Sequence, residues 1–502
     1  MVALLRGNRT KRGSTGQKHS LPHSSVLWDG FRHHFGRSGR LSTHPLLPTG
    51  ASMATNTAFD PLPHLLLAVP LVILTCKVGA QLMRRLGQPP VVGEIAAGIL
   101  LGPSLLGWLW PQGQDWLLPD AVLPYLTALG NLGLLAFMFF VGLELDLGVV
   151  RRHGRTAVAL SLSSIALALL MGSLLGVGMY GFFAPENVDV LPFVLFIAVS
   201  MSITAFPVLA RILTDRGMYK TPVGALAMTC AAVDDVMAWC LLVVVVAVAS
   251  SGSPVEAVAT AVLTIGFALL MRYATRPLFA RWAARAERRH TDSVVLVVLF
   301  SGLCLSALAT EQIGVHALFG AFLFGTVTPR GTPAIDRQAA RLRAVTVPLL
   351  LPLFFVTTGL KTDIFLLVAD PLQWLWLAAV LAVAVLSKWG GGAAAARLAG
   401  ETWRDALSLG ALMNCRGLTE LVVLNIGLGL GVIGDDLFTI LVLMALLTTA
   451  ATSPLLDLLR RERPARVRPA RVRAARVRAA HEQPAHERSM DDQFADRPAR
   501  AR

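Results

Sequence analysis

Residues 221–239 read Thr-Pro-Val-Gly-Ala-Leu-Ala-Met-Thr-Cys-Ala-Ala-Val-Asp-Asp-Val-Met-Ala-Trp, and the apolar run continues to residue 249. At 1.5 Å per residue such a run is long enough to cross a bilayer as a helix. Asp234 and Asp235 then lie about 18–20 Å along the axis from Pro222, near the midplane. An ionisable side chain at that depth costs about 2.5–3.5 kcal/mol on insertion scales, so two in succession demand a purpose. Neighbours on a helix point about 100° apart, so the carboxylates cannot share one partner. One is expected to face a neighbouring helix and the other a hydrated cavity.

The same pattern extends outward in both directions. Thirteen apolar runs, at about 62–82, 91–109, 122–144, 156–181, 191–213, 221–249, 254–273, 292–309, 313–328, 345–366, 372–398, 405–430 and 435–459, are each closed by a short polar or Gly/Pro-containing break. With 54% apolar and 15% charged residues in 502, and a mean hydropathy of +0.61, the chain reads as an all-α polytopic membrane protein. The net charge of +14 sits in the tails: residues 1–60 carry +6 and residues 460–502 carry +7. A basic groove for nucleic acid is therefore not expected. The five cysteines fall inside apolar runs without metal-ligand spacing, and no cofactor is implied.

Loop charge orients the bundle. Arg84, Arg85, Arg151, Arg152, Arg216, Lys220, Arg281, Arg288, Arg337 and Arg343 follow odd-numbered runs, whereas Lys361 alone marks an even-numbered end. The positive-inside rule then puts the start of the first run outside and the C-terminus in the cytoplasm. Residues 1–60 read as a basic disordered segment with Met53 as a candidate native start, 61–459 as the transmembrane domain, and 460–502 as a basic cytoplasmic tail. The tail repeats Ala-Arg-Val-Arg at 465–468, 470–473 and 475–478, a strip suited to anionic lipid headgroups or simply to solvent.

Other polar residues inside the runs are few. Lys388 lies fourteen residues beyond Trp374 and nine before Arg397, too deep to reach either interface comfortably and at a depth comparable to Asp234. The two are expected to pair, with Lys361 as an interfacial rival. The fifth run contains Pro207 preceded by Ser200, Ser202 and Thr204, and the twelfth reads Asn414-Cys-Arg416-Gly-Leu-Thr-Glu420. Both signal broken helices, and the odd offset of seven runs makes them antiparallel, the mark of inverted repeats around a secondary-transporter site. Arg416 and Glu420 also fit an i,i+4 salt bridge. Glu94, Glu144, Asp146, Glu311 and His316 are candidates for a proton route or, more simply, for helix-end roles.

These residues carry a resemblance. Pro-Val-Val-Gly-Glu-Ile-Ala-Ala-Gly-Ile-Leu-Leu-Gly-Pro at 90–103, Phe-Phe-Val-Gly-Leu-Glu-Leu-Asp at 139–146, the 202–213 run, the Asp pair, Gly-Val-His-Ala-Leu-Phe-Gly-Ala-Phe-Leu-Phe-Gly at 314–325 and Asn-Cys-Arg-Gly-Leu-Thr-Glu-Leu at 414–421 resemble the second monovalent cation:proton antiporter family. That family includes bacterial Na+/H+ antiporters and plant and fungal cation/H+ exchangers. The resemblance implies a homodimeric exchanger of K+ or Na+ for protons in the plasma (inner) membrane, with a six-helix core rocking against a dimerisation domain. It implies that Asp235 binds the transported cation and the proton, that Asp234 pairs with Lys388, and that Thr204 lies at the unwound part of the fifth span. Adjacent aspartates go with electrogenic exchange, yet the most similar exchangers often carry Asn at the first position, which leaves stoichiometry open.

Competing classes are weaker. A ligand-gated potassium efflux transporter would carry a nucleotide-binding domain, for which the 43 residues after the last run leave no room. An intramembrane aspartyl protease needs its two aspartates on separate helices. His481-Glu-Gln-Pro-Ala-His486 has one residue too many for a zinc protease motif, and no phosphate-binding loop of an ATP-driven pump occurs.

Overall fold

The computed structural model describes residues 60–144, 154–219, 221–250, 254–288 and 292–460. The basic leading segment with Met53, the Ala-Arg-Val-Arg tail and Asp146 lie outside the described residues. All thirteen apolar runs are helical, and no strand occurs among the described residues.

Helices α1 (Pro61–Arg85), α2 (Pro90–Leu101) and α3 (Leu123–Glu144) come first, then α4 (Gly154–Phe183). The fifth run forms two helices, α5 (Val190–Ser202) and α6 (Phe206–Asp215), and α7 (Pro222–Ser250) carries the aspartate pair. A long connector, α8 (Pro254–Leu270) and α9 (Arg276–Arg288), leads to α10 (Asp292–Ile313), α11 (Ala317–Val327), α12 (Pro333–Val345) and α13 (Leu351–Leu360). The chain then forms α14 (Pro371–Ala384), α15 (Gly391–Leu398), a second broken span α16 (Trp403–Met413) and α17 (Leu418–Gly429), and α18 (Asp435–Arg460).

Among the described residues, eleven helical stretches are long and apolar enough to cross a membrane, and α16 with α17 makes a twelfth, bent by 40°. The ninth run differs from the rest: α11 has only 11 residues, about 16 Å of helix, because His316 starts it late and Thr328 ends it in extended backbone. It is seated by close backbone packing. A Cβ on Gly142 of α3 would overlap the Phe322 carbonyl, and one on Gly325 of α11 would overlap that of Phe139. Small residues permit this approach where lipid supplies no hydrophobic drive for association.

Two helix groups result. Helices α1, α2, α3, α10, α11 and α13 pack mainly on one another, as do α4, α5, α7, α14, α15, α16 and α18, while α8 and α9 run between the groups. One end of the bundle has a cavity of about 520 Å³ bordered by Arg84, Asp215, Arg216 and Asp457. The opposite end has one of about 700 Å³ bordered by Lys361, Asp363, Asp435 and Asp436. Arg84 and Arg216 thus border the first cavity and Lys361 the second.

Candidate functional site: crossed helix breaks around buried charge

The two interruptions meet. Pro207 has no N–H to return to the carbonyl of Ile203, so the chain opens into extended backbone over 203–205 before α6 begins. The other break spans 414–417, where Gly417 is extended at φ 175°. The Ala205 N–H donates to the Cys415 carbonyl at 2.9 Å, and the Thr204 hydroxyl lies 2.9 Å from the Met413 carbonyl. Each break thus supplies backbone partners that the other lacks, which buried polar backbone requires in a membrane.

Asp234 sits against this crossing. Its Oδ2 accepts from Lys388 Nζ at 2.8 Å and lies 2.8 Å from Thr204 Oγ1, so the one Thr204 proton is shared between the carboxylate and the Met413 carbonyl. The other oxygen, Oδ1, accepts from Ser161 of α4. Lys388 is fully buried and does not extend to an interface. It lies in a π-helical turn, Val385–Gly390, between α14 and α15, a local widening common at functional sites.

A second buried pair braces the crossing. Arg416 Nη1 donates to Glu420 Oε2 at 2.8 Å, so the i,i+4 salt bridge forms. The same guanidinium donates to the Ser200 and Met201 carbonyls at 2.7 and 2.9 Å. These are end carbonyls of α5, and a cation there complements the negative end of the helix dipole. Ser200 Oγ donates to Glu420 Oε1 at 2.5 Å, and Thr449 of α18 bridges the Arg416 N–H and carbonyl at 3.0 and 2.7 Å.

Asp235 is the exception. Asp234 is balanced by Lys388 and Glu420 by Arg416, which leaves Asp235 as the buried carboxylate without an ion-pair partner among the described residues. It is 3% exposed, is hydrogen-bonded by the backbone N–H of Phe206 at the start of α6, and keeps Oδ1 without a hydrogen-bond partner. Asn414 Oδ1, on the opposing break, is likewise buried and unpartnered. Buried oxygens of this kind suit a dehydrated cation or a proton-carrying water, since a lone ionised carboxylate is expensive in apolar surroundings.

The remaining sequence candidates take other places. Ser202 is buried but its hydroxyl returns to the Val199 carbonyl at 2.8 Å, closing its own helix. Glu94 lies against α1, where its carbonyl meets Cys76 Sγ at 3.7 Å and its side chain feels Lys77 and Arg84. No hydrogen bond among the described residues ties it to the aspartates. Glu144 pairs with Arg343 at 2.5 Å, Glu311 accepts the Ala317 N–H at 2.8 Å, and His316 caps α11 through Leu318. Lys361 reaches Asn425 at 3.3 Å and takes no part in the aspartate cluster. Sequence reasoning missed Ser161 and Thr449. Ser161 had a signal, since three serines at 161, 163 and 164 interrupt an apolar run; Thr449 lies among Thr448, Thr452 and Ser453, and sequence does not distinguish it from Thr448 and Thr452, whose hydroxyls bond their own helix.

Comparison with known proteins shows the family of the chain. Residues 71–458 match the family described as sodium/hydrogen exchanger, transmembrane. The chain is similar to the Na(+)/H(+) antiporter NhaS4 of Synechocystis sp., with 40% identity over 406 residues covering 80% of this chain and 98% of that protein. It is 38% identical to cation/H(+) antiporter 19 of Arabidopsis thaliana, covering 81% and 50% of the two chains, and 32% identical to K(+)/H(+) antiporter 1 of Saccharomyces cerevisiae, covering 80% and 46%. The chain therefore spans nearly all of the first and about half the length of the other two. Among solved structures it resembles the sodium proton antiporter MjNhaP1 from Methanocaldococcus jannaschii, with a TM-score of 0.54 and 14% identity covering 79% of this chain and 97% of that one, a likeness of fold.

Proposed function

The chain belongs to the sodium/hydrogen exchanger family, and on that premise we propose that it is a secondary active antiporter exchanging K+ or Na+ for protons by alternating access at Asp235. The observation that carries this reading is the single uncompensated carboxylate at the crossing of two broken helices. A negative charge there must be neutralised, and either a proton or a dehydrated monovalent cation does so, but not both at once. Competition of the two for one carboxylate is exchange.

The surrounding residues have distinct parts. Thr204, Asn414 and the carbonyls freed by the breaks offer neutral oxygens in place of a hydration shell. Lys388 and Arg416 hold Asp234 and Glu420 neutral as pairs, so that the ion sees one charge and not three. Separation of the helices into two groups supports a rocking motion that presents Asp235 alternately to the two end cavities. Loop charge supports an orientation with the Arg216–Asp457 end and the C-terminus in the cytoplasm, and the plasma membrane is the expected location. A homodimer in lipid is the expected assembly.

The test is transport by the full chain in liposomes. Cation-dependent dissipation of an imposed pH gradient is expected for K+ or Na+, with wild-type activity lost in Asp235→Asn. Absence of any cation-dependent proton movement across K+, Na+ and Li+ would remove the reading.

A further inference from the structure

Trp239 lies four residues after Asp235 on α7, so the two side chains share one face of the helix with Cβ atoms about 5–6 Å apart. The indole is 4% exposed, and its Nε1–H has no hydrogen-bond partner. Leaving such a donor unpaired is costly, and Trp in protein interiors ordinarily finds an acceptor for it. Asp235 Oδ1, a buried acceptor, is unpartnered on the same face. A donor and an acceptor at this spacing are matched by one water oxygen bonded to both.

The identity of the group matters as much as its position. An indole N–H only donates, so it cannot ligate a cation; it can only hold an oxygen. The acceptors available to a cation lie at the crossing, on Thr204 and Asn414. Trp239 lies beyond Asp235 in the direction away from Pro222, toward the end of the bundle that carries Lys361 and Asp435. The ring itself stacks on Phe322 of α11, with centroids 6.2 Å apart and planes at 25°. Phe322 is 6% exposed and belongs to the other helix group. The stack therefore joins the two groups one turn beyond the ion-binding carboxylate.

Resting on the antiport reading above, we propose that Trp239 is a positioning residue that forms the outer boundary of the ion site. Its N–H holds a proton-carrying water against Asp235, and its ring, closed on Phe322, blocks the path from Asp235 to the Lys361 end until the two helix groups part. The cation and the water thus meet the same carboxylate from different sides.

Three substitutions separate these roles in liposomes containing the full chain, with cation/proton exchange and cation-free proton leak both measured. Trp239→Phe keeps a ring against Phe322 but removes the donor. It is expected to remain leak-tight, to exchange about tenfold more slowly, as loss of one hydrogen bond to a charged group implies, and to displace the pH profile, which a merely structural role would only scale. Trp239→Ala and, independently, Phe322→Leu break the stack and are expected to raise cation-free proton leak several-fold; the second leaves every group on α7 in place should the first fold poorly. Adding Asp235→Asn to either is expected to abolish that leak, because the leak runs through the carboxylate. An unchanged rate and pH profile in Trp239→Phe overturns the proposal, as does leak that stays at wild-type level in both stack-breaking variants or survives Asp235→Asn. Failure of the wild-type chain to exchange any cation would instead strike the antiport reading itself, so the two failures are distinguishable.

Discussion

Lys388 Nζ lies 2.8 Å from Asp234 Oδ2, with both side chains wholly buried, although 154 residues separate them in sequence. Two charges removed from water stabilise one another only while both are present. Either single neutralisation, Asp234→Asn or Lys388→Gln, is expected to destabilise the protein by about 3–5 kcal/mol, because it strands its partner. The double substitution is expected to recover much of that loss. Thermal unfolding in detergent measures all four corners of the cycle, and simple additivity would show that the two charges are not coupled.

Asp235 is predicted to behave oppositely. It has no ion-pair partner to strand, so Asp235→Asn is expected to leave the melting temperature unchanged or raised while removing exchange entirely. An amide can neither release a proton nor supply the negative charge that replaces a hydration shell. Transport at wild-type rate in this variant would displace the site from α7.

Arg416 joins the ends of two broken helices through the Ser200 and Met201 carbonyls and Glu420. Arg416→Lys keeps the charge but not the planar fork that reaches three oxygens at once. A loss of about 2–4 kcal/mol is expected from breaking hydrogen bonds to a buried charged group, with Arg416→Ala worse. Protein yield and unfolding temperature report this directly; equal stability of Arg416→Lys and wild type would show that the fork is dispensable.

Thr204 shares one proton between Asp234 Oδ2 and the Met413 carbonyl. Thr204→Ser preserves that hydroxyl and is expected to exchange near the wild-type rate, whereas Thr204→Val, matched in shape, is expected to lose about tenfold or more as a buried acceptor goes unpaired. Cation concentration series on the two variants check the prediction, since a neutral oxygen at the break should affect apparent cation affinity as well as rate.

Competition at Asp235 alone exchanges one proton for one cation and moves no net charge; charge moves only if Lys388 also releases a proton when the cation arrives. In that case an imposed membrane potential is expected to drive exchange by the wild-type chain, and to drive it less in any Lys388→Gln protein that still transports. Equal potential dependence in both would assign Lys388 a structural part only.

Much of this was legible in the chain as written. Bilayer thickness sets the length of an apolar run, so the spans could be read from periodic breaks, and the cost of a buried charge singled out Asp234, Asp235 and Lys388 without any contact being known. Pro207 and the Asn414–Glu420 polar stretch announced the broken helices because proline lacks a donor and polar groups need partners in lipid. Comparable depth even suggested the Asp234–Lys388 pair. Depth along a helix is a one-dimensional quantity, and sequence carries it faithfully.

Rotation about the helix axis and the packing of distant helices are not carried that way, and tertiary structure decided them. Ser161 and Thr449 enter the site from α4 and α18 only because those helices turn their hydroxyls toward α7 and the second break. Ser202 has the depth and type of a site residue, yet its hydroxyl closes its own helix, and Glu94, near the start of α2, meets α1 through its carbonyl. The ninth run reads as a span but forms only the eleven residues of α11, started by His316 and ended at Thr328, and is seated by the Gly142–Gly325 approach. That Asp235, and not its neighbour, is left without a counter-charge follows from a rotation of about 100° between adjacent residues, which puts one carboxylate against Lys388 and the other beyond its reach.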